Sequence, residues 1–173
     1  MLAALGPALM RLAGSIADGV VLAMAAADRV PDLLADFYAG AAGRDAELDV
    51  ILAVPVLLNE SDPSYASVRA NIAEYGVIDA YNRHLARQGF DLEAAALREA
   101  WAARSREQAL AAVSDRLLRA LCIQSNQAEC VEQLAKYRAA GVKTLLINPI
   151  VDAADGAEGH RKILEVLSAF VEC

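Results

Sequence analysis

An α/β fold built on a parallel sheet is what the 173-residue sequence predicts, and three observations carry it. Short apolar runs rich in β-branched residues alternate with helical patterns, an order that requires helical crossovers between co-directional strands. Hydrophobic residues make up 57% of the chain and charged ones 23%, ample for a buried core and too apolar for a disordered chain. The 38 alanines are spread along the chain rather than gathered in one run, and alanine favours helix at little side-chain entropy cost.

Residues 1–5 (MLAAL) form an apolar stub broken by Gly6-Pro7. From 8 to 17, Leu9, Leu12, Ala13 and Ile16 fall on one helical face, and Pro7 suits a first turn, where its missing N–H is not needed. Asp18-Gly19 leads into the run Val20–Met24, read as a strand covered on both faces. Pro31 opens a helix that ends near Gly43. Residues 48–59 (LDVILAVPVLLN) are the clearest strand, with Pro55 predicting a bend, a bulge or an edge. From Ser64 to Cys122 helix follows helix, with breaks at 88–91 and near Ser105. Asn126 and Glu129 form a capping box for a helix ending at Gly141. Residues 142–148 are the third strong strand, and a last helix is expected over 157–171. Three strands and a stub fall short of a closed (β/α)8 barrel of about 250 residues, and an open sheet exposes its edges. The chain reads as part of something larger.

Charge narrows the function. The net charge is −7 with pI near 4.8, and Lys136, Lys143 and Lys162 are scattered. No basic stripe offers itself to nucleic acid or to an anionic membrane surface. No apolar run is long enough to span a bilayer, and the opening residues lack the basic start and cleavage site of a signal peptide. Cys122, Cys130 and Cys173 form no close pair, which predicts a reduced, cytoplasmic protein with buried thiols. Neither His84 nor His160 has a second ligand at metal spacing, so no metal site is expected.

Chemistry is expected at the C-terminal ends of the strands. The turn Leu5-Gly6-Pro7-Ala8-Leu9 places free backbone N–H groups at a helix start, an end that accepts phosphate, although strand–Gly-Pro–helix by itself equally reads as a tight turn. Asp18 lies at the wrong end of its strand and reads as a structural turn. Ala23-Met24-Ala25, Asn59-Glu60-Ser61 and Asn148-Pro149-Ile150 are the strand ends. His84, between Arg83 and Arg87, reads as solvent-facing; Asp91 and Glu93 read as helix-capping carboxylates. Tyr65, Tyr75 and Tyr81 read as packing residues with polar tips. No G-x-S-x-G nucleophile elbow occurs.

These residues resemble a family. Residues 3–22, AALGPALMRLAGSIADGVVL, follow the pattern A-x-G-P-x-x-x-x-x-A-G-x-x-A-D-G-V of luciferase-like flavin or deazaflavin oxidoreductases. AAGRDAELDVILAVPVLL (41–58), RQGFD (87–91) and NQAECVEQLAKYRAAGVKTLLINP (126–149) follow in the family's order. The similarity is nearest the branch using coenzyme F-420, which includes methylenetetrahydromethanopterin reductases; FMN is the alternative cofactor. The resemblance implies one domain over 1–173, the C-terminal half of a (β/α)8 TIM barrel truncated at its N-terminus. Residues 1–5 would be the remnant of strand 5, 20–24 strand 6, 48–59 strand 7 and 144–150 strand 8, with a helical insertion over about 62–122.

The resemblance further implies that Leu5 and Gly6 hold the cofactor phosphate through backbone N–H groups, with Ala8 and Leu9 extending the contact. The cofactor supplies the hydride chemistry toward a small organic substrate. No catalytic residue is assigned, because the strands that hold them in the family are absent. Ala23 stands where some sugar-phosphate-oxidising relatives are polar, and Ser125-Asn126-Gln127 replaces a usual Gly-Thr/Ser-Pro. A half barrel is expected to be inactive alone and to pair with a second copy or a complementary chain. The alternative is a non-catalytic remnant or interaction module that self-associates through open sheet edges.

Overall fold

The computed structural model describes residues 1–57, 62–124 and 127–150, together with 156–158, 161, 164, 165 and 168. The elements run β1 (Leu2–Ala3), α1 (Pro7–Ile16), β2 (Gly19–Ala23), a 3₁₀ turn (Ala27–Arg29), α2 (Val30–Gly40) and β3 (Asp49–Leu57). Five helices follow: α3 (Asp62–Gly76), α4 (Asp79–Arg87), α5 (Asp91–Ala102), α6 (Arg106–Ala112) and α7 (Asp115–Leu121). The described elements end with β4 (Ile123–Gln124), α8 (Gln127–Ala139) and β5 (Thr144–Ile150). The fold is α/β, as expected. β4 is an addition: two residues are too few to show a strand's alternation, and they lie where the sequence reads as the end of a helical run. The strand expected from residue 142 starts at Thr144 and runs on to Ile150. Asn126, Asn59–Ser61 and most of the expected last helix lie outside the described residues.

All pairings are parallel. Val21 of β2 aligns with Ile51 of β3, which aligns with Thr144 of β5; Ala23, Ala53 and Leu146 form the next row. β1 pairs β2 through Leu2–Val20 and Ala3–Val21. β3 is the central strand, and β4 joins it at Val56–Ile123 and Leu57–Gln124. Val56 and Leu57 also have β5 partners, so β4 must lie on the β2 edge of β3.

Pro55 therefore stands in a central strand, where proline is ordinarily excluded. Backbone parity gives the reason. Asp49 N–H donates to Asp18 O beside β2, whereas Val50 O accepts from Lys143 N–H beside β5. Residues 49, 51, 53 and 55 thus turn their amides toward the β2 edge. β2 pairs only as far as Ala53, and β4 begins at Val56. The missing donor falls in the gap where one neighbour hands over to the next.

The two sheet faces differ. Val20, Leu22, Val50, Leu52, Val54 and Val56 are at most 2% exposed, buried under Met10 and Ala13 of α1, Leu34 and Phe37 of α2, and Leu134 and Tyr137 of α8. Each such side chain contributes about 1.5–3 kcal/mol. On the other face, Ala3, Val21, Ala23, Ile51, Ala53, Pro55, Leu146 and Asn148 are only partly buried or exposed. Leu146 is 58% exposed. Among the described residues, only the strand ends of this face have a helical neighbour.

On the covered side, α1 and α2 touch backbone to backbone. A Cβ on Gly14 would lie 1.9 Å from Phe37 O, and one on Gly40 would lie 2.0 Å from Arg11 O. Helices α3–α7 form a second core around Val68, Ile72, Leu85, Leu97, Leu117 and Leu121. Buried Asn82 organises it: its Nδ2 donates to Gly76 O at 2.9 Å and Ala94 O at 2.7 Å, and its Oδ1 accepts from Arg98.

Candidate active site at the strand ends

The turn after β1 brings Leu5, Gly6, Ala8 and Leu9 together at the start of α1. Gly6 is the N-cap in extended backbone, Pro7 follows it, and no acidic side chain lies in the first turn. Gly6 O accepts from Met10 N–H at 2.8 Å, while the N–H groups of Ala8 and Leu9 fall among the first-turn donors that have no intrahelical acceptor. Space above Gly6 is open except for one group. A Cβ there would meet only Arg87, with Nη1 at 3.7 Å and Nη2 at 4.0 Å. Arg87 Nη1 also donates to Leu5 O at 3.3 Å. A guanidinium therefore sits over the positive end of a helix, and both favour an anion.

The turn after β2 is held by side chains from distant helices. Met24 adopts φ +51°, a left-handed conformation costly for a residue with a Cβ. His84 Nε2 lies 3.2 Å from Ala23 O and 3.1 Å from Met24 O. Two carbonyls can only accept, so Nε2 carries the proton. Gln88 acts as an inserted amide, accepting from Ala26 N–H at 2.8 Å and donating to Met24 O at 2.8 Å. Tyr137 donates to Ala25 O at 3.1 Å, and burial pushes its hydroxyl pKa up. Strain at a rim, held by surrounding bonds, is a recurring feature of functional sites.

The expected solvent-facing position of His84 is corrected by this geometry. The side chain is 1% exposed, because its partners lie 60 residues away and cannot be read from the flanking arginines. Burial is the main cause that lowers its pKa from 6.5; the backbones of Leu5, Ala23 and Met24 oppose it, and the Arg87 charge adds to it. Nδ1 is buried and makes no hydrogen bond.

In front of the strand ends lies a cleft of about 200 Å³, lined by Met24, Ala53, Pro55, Asn71, Tyr75, Tyr81 and Asn148 among others. Tyr75 and Tyr81 pack with ring centroids 5.0 Å apart, so two residues expected merely to pack also line the cleft. Asn148 sits inside β5 opposite Pro55. Asp18 is exposed at the far end of β2. Asp91 and Glu93 do not cap α5, whose N-cap is Phe90. Burial would raise the Glu93 carboxyl pKa, but hydrogen bonds from Ser114, its own backbone and Arg116 bring it below the ordinary value. Cys122 and Cys130 are buried free thiols. Among the described residues there is no cluster of three metal-ligating side chains, and no helix is long and apolar enough to cross a membrane.

Comparisons with known proteins place this architecture. The coenzyme F-420-dependent tetrahydromethanopterin reductase of Methanopyrus kandleri superposes with a TM-score of 0.66 at 22% identity, over 95% of this chain and 47% of that one. An F-420-dependent secondary alcohol dehydrogenase, in complex with an F-420–acetone adduct, gives 0.66 at 16% identity, over 97% and 47%. EDTA monooxygenase from Chelativorans sp. BNC1 gives 0.52 at 16% identity, over 96% and 43%. At these identities the likeness is one of fold, and the chain spans less than half the length of each structure. No curated protein sequence matches. The sequence model for luciferase-like monooxygenases matches residues 1–144, and on that match the chain belongs to the luciferase-like monooxygenase family.

Proposed function

We propose that the chain is the C-terminal half of a luciferase-like oxidoreductase barrel that holds a phosphorylated deazaflavin, coenzyme F-420, with FMN as the alternative. In this reading β1 is the remnant of strand 5, β2 is strand 6, β3 strand 7 and β5 strand 8. Residues 62–122 are then the helical insertion of a single domain over 1–173. The observation that carries the reading is the Gly6 turn. Leu5 and Gly6 line a cradle, Ala8 and Leu9 offer N–H groups, and Arg87 adds a cation above the same helix start.

When bound, the cofactor supplies hydride transfer toward a small organic substrate. The chain's own residues orient it: the cradle fixes the phosphate, while Met24, Ala53 and Tyr75 wall the cleft at the strand ends. The sheet face that is only partly covered among the described residues leaves that cleft unfinished, which supports inactivity of the chain alone and pairing with a complementary chain or a second copy. The buried thiols fit a reducing, cytoplasmic setting.

The test is an equilibrium titration of the chain with coenzyme F-420, with FMN, and with riboflavin, which lacks the phosphate. The expected result is at least about tenfold tighter binding of the phosphorylated ligands, the scale of a charge-assisted contact. Equal affinity for FMN and riboflavin overturns the assignment of the cradle. That partly covered face also favours a second reading, a non-catalytic module that self-associates. Micromolar cofactor binding by the chain alone defeats it, and a strictly monomeric mass by light scattering at high concentration removes self-association from both.

A further inference from the structure

A larger cavity lies away from the strand ends, between α3 and the α5–α6 hairpin, and holds about 700 Å³. That volume is within the range of about 300–1,000 Å³ typical of small-ligand sites. Its origin is the alanine content. Ala70 and Ala73 on α3 face Ala100 on α5 and Ala109 on α6, and four methyl groups do not fill the space between the helices. Trp101, the only tryptophan in the chain, stands in the wall with 66% of its surface exposed.

The polar lining is lopsided. Arg104 and Arg106 belong to the wall, and neither side chain has a hydrogen bond or ion pair among the described residues. Glu74, on the α3 wall, is likewise unpaired. Two cations against one anion suit a guest with a single negative charge better than a dianion.

Arg104 is also costly where it stands. α5 ends with Ser105 N–H on Ala100 O and Arg104 N–H on Trp101 O, both at 3.0 Å, the closure that places a left-handed residue after the helix. The same closure after α4 and α8 uses Gly89 at φ +85° and Gly141 at +102°. Here the position carries arginine at φ +53°, although glycine would meet the backbone demand without strain. What arginine adds is a side chain beside the cavity.

We propose that this cavity is a second ligand site, for a ring-bearing organic monocarboxylate whose ring stacks on Trp101 and whose carboxylate meets Arg104 and Arg106. The alanine floor accepts the apolar body, and a planar carboxylate matches the guanidinium fork. The site is independent of the cofactor reading, since none of its residues touches the Gly6 turn.

Calorimetric titration of the full chain with naphthalene-2-carboxylate, followed in parallel by Trp101 fluorescence, tests it. One saturable site per chain is expected, with the uncharged naphthalene-2-methanol binding at least about tenfold more weakly, as loss of a hydrogen-bonded charge predicts. The Arg104→Gln/Arg106→Gln double variant is expected to remove that preference, while Arg87→Gln leaves it intact. Absence of saturable binding overturns the proposal. So does equal affinity for acid and alcohol, a comparison that needs no variant and does not depend on one folding.

Discussion

His84 Nε2 stands 3.1 Å from the carbonyl oxygen of Met24, so a histidine on α4 holds the strained residue that follows β2. Burial keeps its folded pKa below 6.5. The unfolded chain therefore takes up a proton at this site before the folded one does. Its contribution to stability is complete above about pH 6.5 and declines as pH falls toward the folded pKa. Thermal melts across the window from about pH 7.5 down to 5.5 should show this fall. His84→Gln, which keeps a side-chain donor, should flatten the decline; an unchanged slope would show that other groups set it.

Arg87 and Gly6 make a second pair with separable roles. Arg87 is exposed, so Arg87→Gln should leave the melting temperature nearly unchanged while weakening FMN at least about tenfold. Gly6 has extended backbone and room for a methyl group. Gly6→Ala should therefore fold normally, with any loss confined to binding of the phosphorylated ligand.

The contact of α1 with α2 predicts the opposite behaviour for two other glycines. Gly14→Ala or Gly40→Ala drives a methyl group into a carbonyl at about 2 Å. Each should cost at least about 2 kcal/mol in denaturant unfolding, despite a gain of roughly 1 kcal/mol in helix propensity. Gly43→Ala, where φ is +82° but nothing lies within 4 Å, should cost only about 1 kcal/mol.

Cys122 supplies a reactivity prediction. Burial, with Cys130 beside it, pushes its thiol pKa up to about 12. Cys122 and Cys130 should escape N-ethylmaleimide in the folded chain and react once it is unfolded. Peptide mass spectrometry distinguishes the outcomes, and labelling of Cys122 before unfolding would contradict its burial.

The alternation of strands and helices was legible because each of β2, α1, α2 and β3 carries its own periodicity and punctuation. The glycine turn after β1 was legible for the same reason, being local. What escaped is non-local. Arg87 reaches Leu5 across 82 residues and Gln88 reaches Ala26 across 62, and no window along the chain joins such pairs. His84 reads as solvent-facing because its neighbours in sequence are cations, whereas its neighbours in space are the Ala23 and Met24 carbonyls. The place of Pro55 becomes intelligible only once β4 is known to take over from β2.

The half-clad sheet bears on how the molecule resists heat. Among the described residues, the apolar rows at Val21–Ile51 and Ala23–Ala53–Leu146 are only partly withdrawn from water, so part of the drive toward the native state is held in reserve until something lies against them. If a second copy does so, mass action ties thermal resistance to dose: dilution lowers the melting temperature, and a saturating partner raises it.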